Sequence, residues 1–397
     1  MQPDAGRLGH AMRVIVSTLS SLMLISAGQH ALADVPPGNP QTGTPADLAD
    51  QGAPDSQSGA GMIVSIEAGG QAIGKRDGEF VVVPLPFRNA LIGAGLVVGA
   101  GYLYRGASAP KAGPPSILGV GGMYAEQDTW AALAAHRGYW AGNTWRTTAG
   151  IAMADINYSV TLGNRAAERQ VAVNQAAKGA SIEAARRFGK YTWVGLSAAY
   201  ANTDVTAVDL LVLDNIALAD LGLSVEWDTR DDTFAPRSGS LASIEIKHFD
   251  EALGSDSDFT RINSFYNGYR ALSERQTLAY RIAAEHVDGD APFFALPWLG
   301  SGCDLRGYTP GTYIGKSLLA AQAEWRFQLS HRWGMVAFGG VASVGDRDGQ
   351  FKSGDALPAG GVGLRYRVTD KFKVNVRADM AWGRDDSTFT LSVGEAF

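Results

Sequence analysis

His248 stands two residues before Asp250 and three before Glu251, the nearest this chain comes to the histidine–carboxylate pairing of general-base catalysis. No Gly-x-Ser-x-Gly elbow, phosphate-binding loop or dinucleotide fingerprint accompanies it. A carboxylate beside a strand-end histidine is ordinary surface chemistry, so no catalytic residue is expected and the chain does not read as an enzyme. The six histidines, His10, His30, His136, His248, His286 and His331, show no metal-ligand spacing. Cys303 is the only cysteine, which excludes an internal disulfide and a cysteine-based metal cluster. Neither a metal nor any other cofactor is expected. The net charge of −6 argues against nucleic acid as a partner.

The remaining charged residues carry a different signal, because they recur at every second position. Phe372, Val374, Val376, Ala378, Met380 and Trp382 alternate with Lys373, Asn375, Arg377, Asp379 and Ala381. A strand points successive side chains to opposite faces, so this segment has one apolar face and one largely charged face. The same alternation sets Leu221, Leu223, Val225 and Trp227 against Ser224, Glu226, Asp228 and Arg230. Ile244 and Ile246 oppose Glu245 and Lys247, Tyr280 and Ile282 oppose Arg281, and Leu319 and Trp325 oppose Glu324 and Arg326. Val362 and Leu364 oppose Arg365 and Arg367. A closed barrel in a bilayer needs both faces, because its outside meets lipid and its inside meets water. The fold class is therefore all-β, a transmembrane antiparallel barrel of about sixteen strands. The charged face is expected to line a wet lumen in which opposite charges pair across strands.

The elements that position these residues occupy 78–397. Ahead of them, Arg7 and Arg13, the apolar tract 14–27 and Ala31-Leu32-Ala33 have the three parts of a secretory signal peptide, with a mature start at Asp34. Residues 34–77 read as a flexible periplasmic tail. Pro36, Pro37, Pro40, Pro45 and Pro54 lie among Gly, Ser, Asp and Gln in a composition that cannot bury a core. Strand boundaries between 106 and 220 stay open. The longest break, 287–316, is rich in Pro and Gly, and a break of that size in a repetitive barrel is a functional loop.

Within that loop stands Leu305-Arg306-Gly307-Tyr308. Three other stretches join it: Asp228-Thr229-Arg230-Asp231 followed by Pro236 and Gly239, Gly361-Val362-Gly363-Leu364-Arg365-Tyr366, and 389–397 from Phe389 to Phe397. With Pro84-Leu85-Pro86-Phe87 near the start, these four in this order resemble the BamA/TamA-type superfamily of outer-membrane proteins, the bacterial surface antigen family. The resemblance implies a sixteen-stranded barrel whose long sixth external loop folds into the lumen, its arginine held by inward charges. It makes Asp228, Arg230 and Asp231 a mid-barrel strand and turn. It also makes 389–397 the terminal strand that assembly machinery reads as a signal, through Phe389, Leu391, Val393 and Phe397. Where the family carries an aspartate on strand thirteen, Phe338-Gly339-Gly340-Val341-Ala342 places Gly340. Glu324, inward on the strand after the loop, is then the expected partner of Arg306, with Arg326, Phe338 and Arg365 around it. A guanidinium can grip such a carboxylate with two bonds.

The implied function is assistance to insertion or translocation of protein or lipid at the bacterial outer membrane. The partners are outer-membrane lipid, the barrel assembly machinery during biogenesis, and a periplasmic protein in place of the POTRA domains that such family members carry. A passive channel or structural surface barrel is the alternative.

Overall fold

The computed structural model describes residues 78–89, 91–104, 116–164, 167–207, 212–232, 235–301, 304–345, 348–351, 356–369 and 374–397. The signal segment, the tail, Phe372, Lys373 and Cys303 lie outside the described residues. Sixteen strands follow one another: β1 (Gly78–Asn89), β2 (Gly93–Tyr104), β3 (Ser116–Ala125), β4 (Trp130–Trp140), β5 (Trp145–Asn164), β6 (Ala167–Phe188), β7 (Thr192–Ala207) and β8 (Val212–Asp228) form the first half. The second half is β9 (Gly239–Phe249), β10 (Phe259–Ser273), β11 (Gln276–Gly289), β12 (Ser317–Gln328), β13 (Trp333–Gly345), β14 (Leu357–Thr369), β15 (Val374–Trp382) and β16 (Ser387–Val393). Each pairs antiparallel with its neighbours, and β1 meets β16 to close the barrel. Closure is what the bilayer demands, since it leaves no backbone edge facing hydrocarbon.

The outer wall is apolar by alternation. Ile151, Ile182, Leu196, Leu221, Ile282, Leu319, Val362 and Leu364 are all exposed. Exposed Trp130 and Trp140 mark the two ends of the lipid band on β4. They are ten positions apart on β4, so at ~3.3 Å per residue and ~40° of tilt the band is about 25 Å tall, the height that outer-membrane barrels present. Exposed Trp145, Phe188, Trp227, Trp325 and Trp333 continue the girdle at the Trp140 end.

The inner wall has two unlike halves. From β8 to β15 it carries most of the charge, with Glu226, Glu245, Arg261, Gln322, Glu324, Arg365 and Asp379 all buried, beside apolar Leu218, Phe249, Phe259 and Val287 at the loop end. From β3 to β6 it is mostly apolar instead: Ile117, Met123, Leu133, Ile156, Tyr158, Val160, Val171 and Val173 form one cluster with Phe294, Ala295 and Trp298 of the β11–β12 loop. The inward charges read from the sequence, from Glu226 to Asp379, all belong to the β8–β15 stretch. The apolar inner wall also explains why boundaries in 106–220 are not readable from polarity. Trp-Ala-Ala-Leu-Ala-Ala in β4 has no polar face to alternate with.

The terminal strand is shorter than the sequence pattern implies. β16 stops at Val393, and Gly394 takes the left-handed region at φ 91°. Its N–H donates to the Asn375 carbonyl at 2.7 Å, and the chain turns away from the strand. Phe397 therefore does not end the lipid-facing strand. Its carbonyl instead accepts a hydrogen bond from Arg326 Nη2 at 2.9 Å. The reason is Glu395, whose carboxylate would lie in lipid if the alternation ran on.

The β1–β16 seam is short as well. Its register pair is Arg88↔Leu391, whereas β1 and β2 pair along all twelve residues of β1. Continued antiparallel, that register puts Val393, the last residue of β16, opposite Pro86. Residues 78–85 of β1 extend past it. Pro84 and Pro86 have no amide hydrogen, so β1 cannot build a full ladder on both edges.

Candidate functional site

The site is assembled from four neighbouring strands and one loop. Along β12 the even positions are covered and the odd ones exposed, which turns Gln322 and Glu324 inward. Register then sets Phe338 of β13 opposite Glu324, Gly361 of β14 opposite Phe338, and Asp379 of β15 opposite Gly363. The two glycines leave the space in which Phe338 and Asp379 lie: a Cβ at Gly361 would sit 2.5 Å from the Phe338 ring.

Into this space the β11–β12 loop delivers Arg306. Its Nη2 is 2.7 Å from Glu324 Oε2 and its Nη1 is 2.8 Å from Asp379 Oδ2. The guanidinium carbon lies 3.4 Å from the centroid of the Phe338 ring, which adds a cation–π contact. The fork thus grips two carboxylates on two strands rather than one, and Asp379 is the partner that sequence reasoning leaves unassigned. Gly340 also has a physical account. A Cβ there would lie 2.7 Å from Gln322 Cβ, and Gln322 already fills the place, donating to the Asp304 carbonyl at 2.8 Å.

The charges form a closed cycle. Glu324 Oε1 takes Arg326 Nε at 2.7 Å, Arg326 faces Glu395 at 3.8 Å, and Glu395 takes Arg365 Nε at 2.9 Å. Arg365 pairs with Asp379, which returns to Arg306. Burial works to raise the Glu395 carboxyl, but Arg365 and Arg326 outweigh it and hold the group below the ordinary carboxylate range. The loop tip, three strands and the segment after β16 therefore share one ionic network. A network in which every charge is answered fixes geometry more than it adds stability.

The rest of the tip is held by packing and by the β15–β16 turn. Leu305 and Tyr308 are buried with Leu299, Leu318, Ala320, Ala342 and Leu357. Tyr308 donates its hydroxyl hydrogen to the Pro358 carbonyl at 2.6 Å and accepts from the Arg384 N–H at 3.1 Å. The Thr309 N–H donates to Asp386 Oδ2 at 2.6 Å. Gly307 has φ 108°, open to glycine at little cost. At the far side of the loop, Trp298 lies against Tyr158 of β5 with ring centroids 5.7 Å apart. Nothing in the turn sequence Gly383-Arg384-Asp385-Asp386 announces that it clamps a loop.

The mid-barrel residues stand apart from this site. Arg230 lies beyond β8 and folds its guanidinium onto Asp228 through two bonds of 3.0 Å. Asp231 accepts from the Arg237 and Ser238 N–H groups. The motif closes its own turn. Phe389 faces outward and is exposed, pairing across strands with Met380 rather than with a network residue. His248 contacts Thr260 at 2.9 Å and Asp250 at 3.5 Å. Among the described residues, no group of His, Cys, Asp and Glu could hold a metal ion.

A sequence profile of the Omp85 superfamily domain matches residues 118–397. No curated protein matches the sequence significantly. Among solved structures, BamA from Haemophilus ducreyi lacking POTRA domains 1-3 is similar, with a TM-score of 0.60 and 15% identity over 81% of this chain and 70% of that one. CdiB from Acinetobacter baumannii gives 0.54 and 11%, over 82% and 60%. CdiB from Escherichia coli gives 0.50 and 11%, over 82% and 63%, so the chain spans about three-fifths of both CdiB chains. At these identities the likeness carries the fold alone, and this fold places the protein in a bacterial outer membrane. With its profile match covering most of the sequence, the chain belongs to the Omp85 superfamily.

Proposed function

We propose that this barrel assists insertion or translocation of protein or lipid at the outer membrane by parting the β1–β16 seam, while its sixth external loop folds into and closes the lumen. The seam is the observation that carries the reading. Its register pair is Arg88↔Leu391, and β1 brings two prolines to it. Opening there exposes few backbone groups, each of which costs several kcal/mol in hydrocarbon.

The loop supports the second half. Its tip is tied to β12 and β15 through Arg306, which also lies on Phe338 of β13, and Trp298 lies against β5. In a ring of sixteen, β5 and β13 are eight strands apart, on opposite walls. A segment that touches both crosses the lumen. A periplasmic partner that delivers substrate completes the reading.

The test is single-channel recording on purified protein in planar bilayers. Low conductance with brief openings is expected from a plugged barrel. Steady large conductance overturns the plug and favours a passive channel.

A further inference from the structure

The turn between β6 and β7 is basic and aromatic. Residues 184–203 contain Arg186, Arg187 and Lys190 and no carboxylate. Among the described residues, no carboxylate forms an ion pair with Arg186 or Lys190. Each lies instead against an aromatic ring: Arg186 over Trp145 at 5.7 Å and Phe188 at 5.4 Å, Lys190 over Tyr191 at 4.9 Å. Those three rings are themselves exposed. The β8–β9 turn at the same end of the barrel shows the contrast, since Arg230 there is answered by Asp228.

Register fixes what this turn faces. On β6 the even positions point outward, and Ile182 and Phe188 are exposed on either side of Arg186. Arg186 pairs across strands with Trp145, at the girdle end of the lipid band opposite the long loop. The end that carries short turns is the periplasmic one. Arg186 thus points from the barrel wall into the headgroup layer of the periplasmic leaflet, not down into the periplasm. A lipid-facing cation at that level seeks phosphate, and the adjacent rings suit the glycerol and upper acyl region.

We infer that residues 186–191, with Trp145, bind the phosphate of an anionic phospholipid in the periplasmic leaflet, Arg186 and Lys190 being the ligands. This rests on the membrane register alone and stands or falls independently of the seam. A protein partner with an acidic surface is the competing occupant.

Native mass spectrometry of the full chain, titrated with phosphatidylglycerol and separately with phosphatidylcholine, tests it. The wild type should retain phosphatidylglycerol in preference. Lys190→Gln should weaken that retention about five-fold, and Arg186→Gln with Lys190→Gln about 25-fold, since each cation near an anionic surface contributes a factor of about five. Arg237→Gln should leave it unchanged. Should the double variant fail to fold, the single one still decides. Equal retention of both lipids, or unchanged retention in Lys190→Gln, overturns the inference. So does a photo-crosslinker at Phe188 that, in outer membranes, captures a protein rather than lipid.

Discussion

Gly307 and Gly383 meet backbone to backbone. A Cβ on Gly383 would stand 2.6 Å from the Gly307 carbonyl oxygen, and a Cβ on Gly307 would stand 3.1 Å from the Gly383 nitrogen. Two residues 76 apart in sequence are thereby in contact through main chain alone, so the loop tip rests on the β15–β16 turn with no room for a methyl group.

Gly383→Ala should therefore lift the tip without touching the ionic network. Overpacking of this kind costs about 1–3 kcal/mol, too little to unfold a sixteen-stranded barrel but comparable with the docking of one loop. Limited proteolysis should show new cleavage within 287–316 while the strands stay protected. Wild-type protection in the variant would mean the turn yields and does not clamp.

Arg306→Ala removes the shared partner of Glu324 and Asp379. Breaking a buried charged pair costs about 3–5 kcal/mol, lessened here because Arg326 and Arg365 still face Glu324. The barrel should assemble, the loop should become protease-sensitive, and conductance should rise. Arg306→Lys should resemble the alanine variant, because one ammonium cannot span two carboxylates on separate strands. Glu324→Gln should loosen the loop in the same direction. Unaltered protection and conductance in Arg306→Ala would release this residue from any anchoring role.

How much of this was legible follows from what each residue depends on. The strands from β8 onward are readable because an inward charge such as Glu226 or Arg365 alternates with an outward apolar residue. Between β3 and β6 the inner face is mostly apolar like the outer one, and alternation loses most of its meaning. Glu324 is reachable from sequence because it follows the loop directly. Asp379 lies 73 residues from Arg306, and only the closed register brings the two together. The inward turn after β16 did leave a trace. Continuing Phe389, Leu391 and Val393 by twos puts Glu395 on the lipid face, a position a carboxylate does not keep. The clamp at Gly383 left none, since its residues are those of any tight turn.

The seam can be locked. Arg88 and Leu391 are direct cross-strand partners, and such pairs lie about 4.5–5.5 Å apart at Cα, within reach of a disulfide. Arg88→Cys with Leu391→Cys, in a Cys303→Ser background, should oxidise without changing conductance. If the seam is the route, vesicles carrying the locked protein should lose assisted insertion of an unfolded client barrel and regain it on reduction. Full activity in the locked state would place the route elsewhere.

Loop docking should also depend on pH through Asp304. Burial pushes its carboxyl up to about 6, against an ordinary value of 3.8. Oδ2 accepts the Gly300 N–H at 2.9 Å, whereas Oδ1 has no hydrogen-bond partner among the described residues, and the backbone N–H groups of Gly300, Leu305 and Asp304 offset the burial only in part. The charged groups near it do not help, since Glu285 on β11 adds like charge and Arg306 is committed to Glu324 and Asp379. The sign follows from the raised value. A released, solvated Asp304 titrates near 4 and the docked one near 6, so the docked loop binds the proton more tightly. Docking is favoured by acid, its gain complete below about pH 4 and lost as pH rises through about 6. Proteolysis within 287–316, with a protease active over that range, should therefore accelerate from pH 4.5 to 7.5 in the wild type. Asp304→Asn keeps an acceptor for Gly300 and supplies a neutral group at every pH, so its cleavage rate should stay at the acid-side level throughout. An identical pH response in Asp304→Asn would assign the effect to another group.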